Sequence, residues 1–417
     1  MDVTSVRLYG KKDLRREKWS LPDIKEDEIL AKVMVDSVCM STYKAVLQGE
    51  THRRVNDDIK TRPVIIGHET SCVLEKVGAK WQNHYHEGMT VALQPDLQLK
   101  DSMATIGYSF EYCGGLSTYV ILPNVVMEAN ALLPFDPGQG YYAGALVEPI
   151  SAVLASYKSM YHVDKGSKIH QMDIKKGGRM ALLGSGGPMG FAAVSAALHR
   201  ESKPSLLVVS DLMEERLEKI RKIFGGKYQG IPIYYVQASG NKEEDIKALL
   251  EQSPDGFDDV GVFAPVTDLV EIADRVLGED GCLNFFAGPV DPNFKAQVNF
   301  YNVHYKSTHY IGTSGSTTQD MVEALRLIEQ TDFNPAHMVT HVGGLDSAID
   351  ATMDVVEAKG GKKLIYPNVT LPMTAVEDFS KRAEKDSRFQ RMAKLIEDSG
   401  GLWSREAEKE LLKEFGE

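Results

Sequence analysis

The sequence predicts an α/β chain of two domains: a β-rich domain and a domain built on a doubly wound parallel sheet. Three observations carry this expectation. At 417 residues the chain is too long for one hydrophobic core and suits two. Its first part is cut into short β-rich runs by Gly and Pro. From about Met180, continuous apolar runs alternate with helical patterns, as in parallel strands buried on both faces.

In the first part, residues 29–38 half alternate and are β-rich, and 64–66 form an apolar run leading into the turn at Gly67. Residues 70–77 form a strand ending at Gly78, and 88–93 start another. Closely spaced strands with this punctuation point to a β-barrel-like domain. Further on, 180–183 is a buried strand, a Gly-rich turn follows, and 191–198 is helical in composition. Residues 206–211 form the next strand and 214–224 a charged amphipathic helix. Short strands are expected at 233–236, 259–263, 282–286 and 310–312. After Gly315 comes a helix over 321–331, then β texture at 362–366, which the first domain receives back. Residues 375–417 are charged and mostly helical in pattern.

Composition bounds the function. Hydrophobic residues make up 43% and charged residues 25%, as in an ordinary soluble globular protein. The net charge of −12 argues against a nucleic-acid surface, while leaving room for a local basic pocket and a small anionic substrate. Residues 1–7 lack the apolar core of a secretory signal, and no long uncharged apolar stretch is suited to span a membrane. Cys39, Cys72, Cys113 and Cys282 are scattered, with no C-x-x-C pair. That fits a reducing cytoplasm and excludes a closed four-cysteine zinc lobe.

The turn Gly184-Ser185-Gly186-Gly187-Pro188-Met189-Gly190 follows a buried strand and opens a helix. Glycine lets the backbone approach a pyrophosphate, and the helix start offers N–H groups and a positive end. The spacing of Gly184, Gly186 and Gly190 carries one residue more than G-x-G-x-x-G. Asp211 ends the next strand, where an acid would accept hydrogen bonds from the adenosine ribose and repel a 2′-phosphate. NAD(H) is therefore expected in preference to NADP(H).

Gly67-His68-Glu69, with Cys39 upstream and Glu148 downstream, is the second motif. Alone, each residue has an ordinary explanation: a buried thiol, a core histidine, a surface carboxylate. Together, one thiolate, one imidazole and two carboxylates suffice to hold a zinc ion and leave it a position open to substrate. Zinc with a nicotinamide points to alcohol and carbonyl interconversion. Ser41, two residues after Cys39, is placed to relay the alcohol proton, with Tyr43 or Lys44 nearby; it also suits an N-cap.

On these residues the chain resembles the medium-chain, zinc-dependent alcohol and polyol dehydrogenases over residues 1 to about 370. Cys39-Met40-Ser41 is similar to that family's first zinc ligand and relay hydroxyl, and Gly67-His68-Glu69 to its second ligand with the adjoining glutamate. Glu148 in Val147-Glu148-Pro149 resembles the carboxylate of the sorbitol dehydrogenase branch, which binds either the metal or its water. Lys44 departs from the pattern, since many members carry a relay histidine there. The resemblance implies a discontinuous GroES-like catalytic domain (1–152 and 316–371), a Rossmann dinucleotide-binding domain (153–315) and a C-terminal helical extension (372–417). It also implies one catalytic zinc per subunit, no structural zinc, and a homodimer or homotetramer.

Several stretches resemble the ketose-1-phosphate reductases of the family, among them residues 7–11, 281–289, 299–305, 360–364 and the tail around Trp403. The implied reaction reduces L-sorbose 1-phosphate to D-glucitol 6-phosphate. A phosphate needs a cationic clamp; His52, Arg53, Arg54, Lys44 and Lys306 are the candidates. Three alternatives stay open: an unphosphorylated polyol or secondary alcohol as substrate, a metal-free quinone or enone reductase, and a dinucleotide-binding protein without turnover.

Overall fold

The computed structural model describes residues 1–164, 166–356 and 360–416, with Val356 through its backbone alone. They form two compact units: one of Met1–Pro149, Thr317–Glu329 and Asn334–Glu417, the other of Ile150–Ser316 and Gln330–Phe333.

The first unit is β-rich, as its Gly- and Pro-cut runs predict. Strand Ile29–Ser37 lies inside its larger sheet, antiparallel to Thr70–Val77, Tyr119–Leu122 and Lys362–Tyr366. Its alternation buries Ile29, Ala31 and Val33 against Cys72, Leu74, Val91, Leu93, Val120 and Leu122. Burying an aliphatic side chain of this kind stabilises by roughly 1.5–3 kcal/mol. Strand Asp2–Gly10 pairs with Asp13–Ser20 and with Val64–Ile65. Val6 and Leu8 join a second apolar cluster with Val46, Ile66, Leu116 and Ile365.

The expected separate extension, 372–417, groups with this first unit. Its chemistry explains why. The buried Glu408 carboxylate accepts from the backbone N–H groups of Tyr141 (2.6 Å) and Tyr142 (2.8 Å) and from the Tyr366 hydroxyl (2.7 Å). It therefore satisfies free donors at the start of helix Tyr141–Ser159. Trp403 is fully buried, donates Nε1–H to Tyr366 Oη at 2.9 Å, and packs on Phe379.

The second unit holds a seven-stranded sheet in the order Lys227–Tyr228, Ile231–Gln237, Leu206–Asp211, Arg179–Leu183, Phe257–Val262, Leu277–Phe285, His309–Ile311. All neighbours are parallel except the first pair. Strand order reverses at Arg179–Leu183, which makes its carboxyl end the switch point of a doubly wound fold. Helices Pro188–His199, Glu214–Phe224, Lys242–Gln252 and Thr267–Val276 alternate with the strands. The α/β class and the two architectures predicted from sequence are thus borne out. The units divide between Pro149 and Ile150 and between Ser316 and Thr317, with 330–333 returning to the second unit. The strand expected at 282–286 begins earlier, at Leu277, and passes through Asp280 at φ 58°.

Candidate metal and dinucleotide sites

Strand Ile29–Ser37 delivers Cys39 to the first unit's site. Cys39 is the N-cap of helix Met40–Gln48, in extended conformation (φ −119°, ψ 145°). Gly67 sets the opposite side. Its φ of 96° is left-handed, and a Cβ there would stand 2.7 Å from the Asp36 carboxylate and 2.9 Å from Leu116 N. The turn it allows projects His68 and Glu69, and the Ser37 N–H donates to the Glu69 carbonyl at 2.9 Å.

One ligand atom each from Cys39, His68 and Glu69 lies within 4.8 Å of the others, the one such group of three among the described residues. His68 and Glu69 are buried and Cys39 keeps partial exposure. Ser41 Oγ donates to Cys39 Sγ at 3.0 Å and stands 3.2 Å from His68 Nε2. The other ring nitrogen, Nδ1, lies 3.1 Å from Thr42 Oγ1 and 3.2 Å from Tyr108 Oη.

Glu148, on helix Tyr141–Ser159, lies outside the group of three but within electrostatic reach of His68, Glu69 and Cys39. Burial raises its carboxyl to about 7, with His68 opposing. Burial and the Glu69 charge push the Cys39 thiol up. A cation would reverse both effects by stabilising thiolate and carboxylate. A soft sulfur, an imidazole and carboxylates with one side reachable are the donor set of a catalytic zinc, so these residues fit that ion.

Two residues that sequence reasoning missed complete the site. Lys362 Nζ donates to both Glu69 oxygens, at 2.6 Å to Oε2. The register that sets Leu364 opposite Ser37 carries Lys362 toward Cys39. A buried carboxylate in search of a counter-ion was the available signal. Tyr108 is buried in irregular chain and had no sequence signal. Lys44, half-buried on the same helix as Ser41, has its ammonium pKa lowered by burial, with the Cys39 charge opposing.

The dinucleotide turn lies in the second unit, at the carboxyl end of Arg179–Leu183. Gly187 caps helix Pro188–His199 without a side-chain hydrogen bond, Pro188 opens it, and Met189 lies in its first turn. A Cβ on Gly190 would stand 2.0 Å from the Ser185 carbonyl oxygen, so the turn closes only on glycine. Gly184 turns the chain at φ 64°. The Gly186 N–H donates to Asp211 Oδ2 at 2.8 Å, and the Met213 N–H to Oδ1 at 3.0 Å. These occupy two of a carboxylate's four acceptor positions and leave two for a ribose diol. Turn and acid thus fit a dinucleotide.

The cationic candidates separate. Arg53 is exposed; Arg54 Nη2 pairs with Asp96 Oδ2 at 2.9 Å; His52 stacks on Tyr108 with ring centroids 5.7 Å apart. Lys306 belongs to the second unit, where it lines a cavity with His162, Lys175 and Arg179 at the amino ends of the strands. That is the edge of the sheet opposite the dinucleotide turn, because Lys306 precedes strand His309–Ile311. No helix among the described residues is long and apolar enough to cross a membrane.

Residues 25–130 match the family described as alcohol dehydrogenase GroES-like domain. The chain is 42% identical to mannitol-1-phosphate 5-dehydrogenase of Aliivibrio fischeri over 415 residues, covering 99% of this chain and 97% of that protein. It is 41% identical to L-sorbose 1-phosphate reductase of Klebsiella pneumoniae over 410 residues, 98% of this chain and 97% of that one. Its fold is similar to the crystal structure of 2R,3R-butanediol dehydrogenase from Bacillus subtilis, with TM-score 0.71 and 22% identity, covering 88% of this chain and 100% of that chain.

Proposed function

The chain belongs to the medium-chain, zinc-dependent alcohol and polyol dehydrogenases, and we propose that it interconverts a ketose phosphate and a hexitol phosphate. As a member of that family it is an oxidoreductase acting on CH–OH groups. The substrate assigned is L-sorbose 1-phosphate, reduced to D-glucitol 6-phosphate. The carrying observation is the Cys39, His68 and Glu69 group with the Ser41 hydroxyl against it. Two relatives, one named for a hexitol phosphate and one for a ketose phosphate, support the substrate class.

When bound, zinc supplies Lewis acidity at the substrate oxygen. Cys39 and His68 would hold it, with Glu69 or Glu148 supplying the carboxylate; one ion per chain is assigned. In the reductive direction Ser41 Oγ gives a proton to the substrate oxygen, and in the oxidative direction it takes one. Lys44, on the same helix, is assigned as the next group of the relay. Gly184, Gly186, Gly187, Pro188, Met189 and Gly190 would cradle the pyrophosphate, and Asp211 favours NAD(H). Arg53 and Arg54 are assigned to the phosphate. The catalytic unit is the β-rich one, and a homodimer or homotetramer in the cytoplasm is the expected assembly.

The Arg54–Asp96 pair favours a second reading, since it neutralises one candidate cation: an unphosphorylated polyol as substrate. Initial rates of NADH and NADPH oxidation with L-sorbose 1-phosphate, L-sorbose and D-fructose 1-phosphate separate the two. The reverse reaction is followed with D-glucitol 6-phosphate, beside D-mannitol 1-phosphate. Turnover with phosphate esters and not with free L-sorbose supports the first reading. Turnover with free sugars or polyols alone replaces it with the second.

A further inference from the structure

We propose that Tyr108 is a positioning residue that ties the relay hydroxyl Ser41 to the ligand imidazole His68 and fixes which nitrogen of His68 faces the metal. The inference rests on the metal reading of Cys39 and His68 and goes beyond it to a residue outside the ligand set.

The geometry is a directed chain of hydrogen bonds. The Ser41 hydroxyl directs its single proton to Cys39 Sγ, 3.0 Å away, and its oxygen lies 3.2 Å from His68 Nε2. With that proton on the thiol side, Ser41 Oγ is left to accept, and the Tyr108 hydroxyl donates to it at 2.9 Å. With that proton committed, Tyr108 Oη can only accept from His68 Nδ1, 3.2 Å away. Thr42 Oγ1 lies 3.1 Å from the same nitrogen, and with the proton on Nδ1 its oxygen accepts as well. The proton of neutral His68 is thereby placed on Nδ1, and the Nε2 lone pair is left for the ion. Partners of this kind, one bond behind a metal ligand, set the tautomer and orientation of the ring. Tyr108 is 2% exposed and its ring lies 5.0 Å from that of His68, so the hydroxyl is held in place by packing.

Three readouts test this. Nitrogen-15 spectra of histidine-labelled, zinc-free protein, with His68 assigned by a His68→Gln variant, are expected to place the proton on Nδ1. Chelator competition is expected to give Tyr108→Phe about tenfold weaker zinc binding, with the circular dichroism spectrum unchanged because the buried ring is retained. Ser41→Ala, though not a ligand, is expected to weaken zinc as well, and the double variant to lose less than the two single losses multiplied. A proton on Nε2 in the wild type overturns the proposal whatever the variants do. So does unchanged zinc affinity in Tyr108→Phe, or full independence of the two changes. Absence of stoichiometric zinc in the wild type overturns the metal reading, and this inference with it.

Discussion

Lys362 Nζ lies against both carboxylate oxygens of Glu69, with the two side chains buried together. Burial alone would raise the Glu69 carboxyl and lower the Lys362 ammonium. The pairing outweighs it in both, so Glu69 is held below and Lys362 above the ordinary values. Glu69 is therefore a charged group with a built-in counter-ion, whereas Glu148 has its carboxyl raised by burial.

Removing one member of such a pair leaves an uncompensated buried charge. Lys362→Met is expected to lower stability by about 3–5 kcal/mol, read from chemical denaturation. Combining it with Glu69→Leu is expected to recover part of that loss. An unchanged denaturation midpoint in Lys362→Met would show that the pair carries no such weight.

Gly190→Ala is expected to disrupt the dinucleotide turn, because the added Cβ would stand 2.0 Å from a backbone oxygen. A forced shift of this kind costs about 1–3 kcal/mol. NADH fluorescence titration is expected to show no saturable binding, while zinc content stays at the wild-type level, since Gly190 and the metal residues belong to different units. Wild-type NADH affinity in this variant would contradict the assignment of the turn.

Asp211→Ala removes the acceptor of the Gly186 N–H and, on the proposed reading, that of the ribose diol. Hydrogen bonds to a charged group contribute roughly 1.5–3 kcal/mol, so NADH affinity is expected to fall about tenfold or more. NADPH affinity should fall less, since the carboxylate that repels a 2′-phosphate is gone. Equal losses for the two nucleotides would remove Asp211 from the choice between them.

Glu408 gives the C-terminal segment a pH signature. Burial raises its folded pKa to about 7 from an ordinary 4.5. Between those values the folded chain binds more protons at this site than the unfolded chain. The site's contribution to stability is therefore full below about 4.5 and is lost as pH rises through about 7. Denaturation of wild type and Glu408→Gln across that interval is expected to show the wild-type advantage shrinking as pH rises. A constant or growing difference would contradict the sign.

Much of this was legible because the chemistry is local in sequence. Gly67-His68-Glu69 needs only its own turn, and the Gly184–Gly190 stretch sits between a strand and a helix that each read clearly. What stayed hidden depends on distant partners. Lys362 reads as the head of a short strand, and only the register against Ile29–Ser37 brings it to Glu69. Tyr108 lies in irregular chain, where neither period nor motif marks it. Helix Tyr141–Ser159 contains Pro149, which reads as a breaker, although the helix continues through it. Strand Asp13–Ser20 is masked by its own charges: among the described residues it is an outer strand paired only with Asp2–Gly10, and it has no fully buried residue.

The most direct test of the metal-dependent oxidoreductase reading is a zinc titration of activity. Protein is stripped with a chelator, zinc is returned in known amounts, and L-sorbose 1-phosphate reduction and bound metal are measured on the same samples, beside Cys39→Ser. The account predicts no turnover without metal, recovery that is linear and ends at one zinc per chain, and neither binding nor recovery in Cys39→Ser. Full turnover in metal-free protein, or in Cys39→Ser, would contradict it.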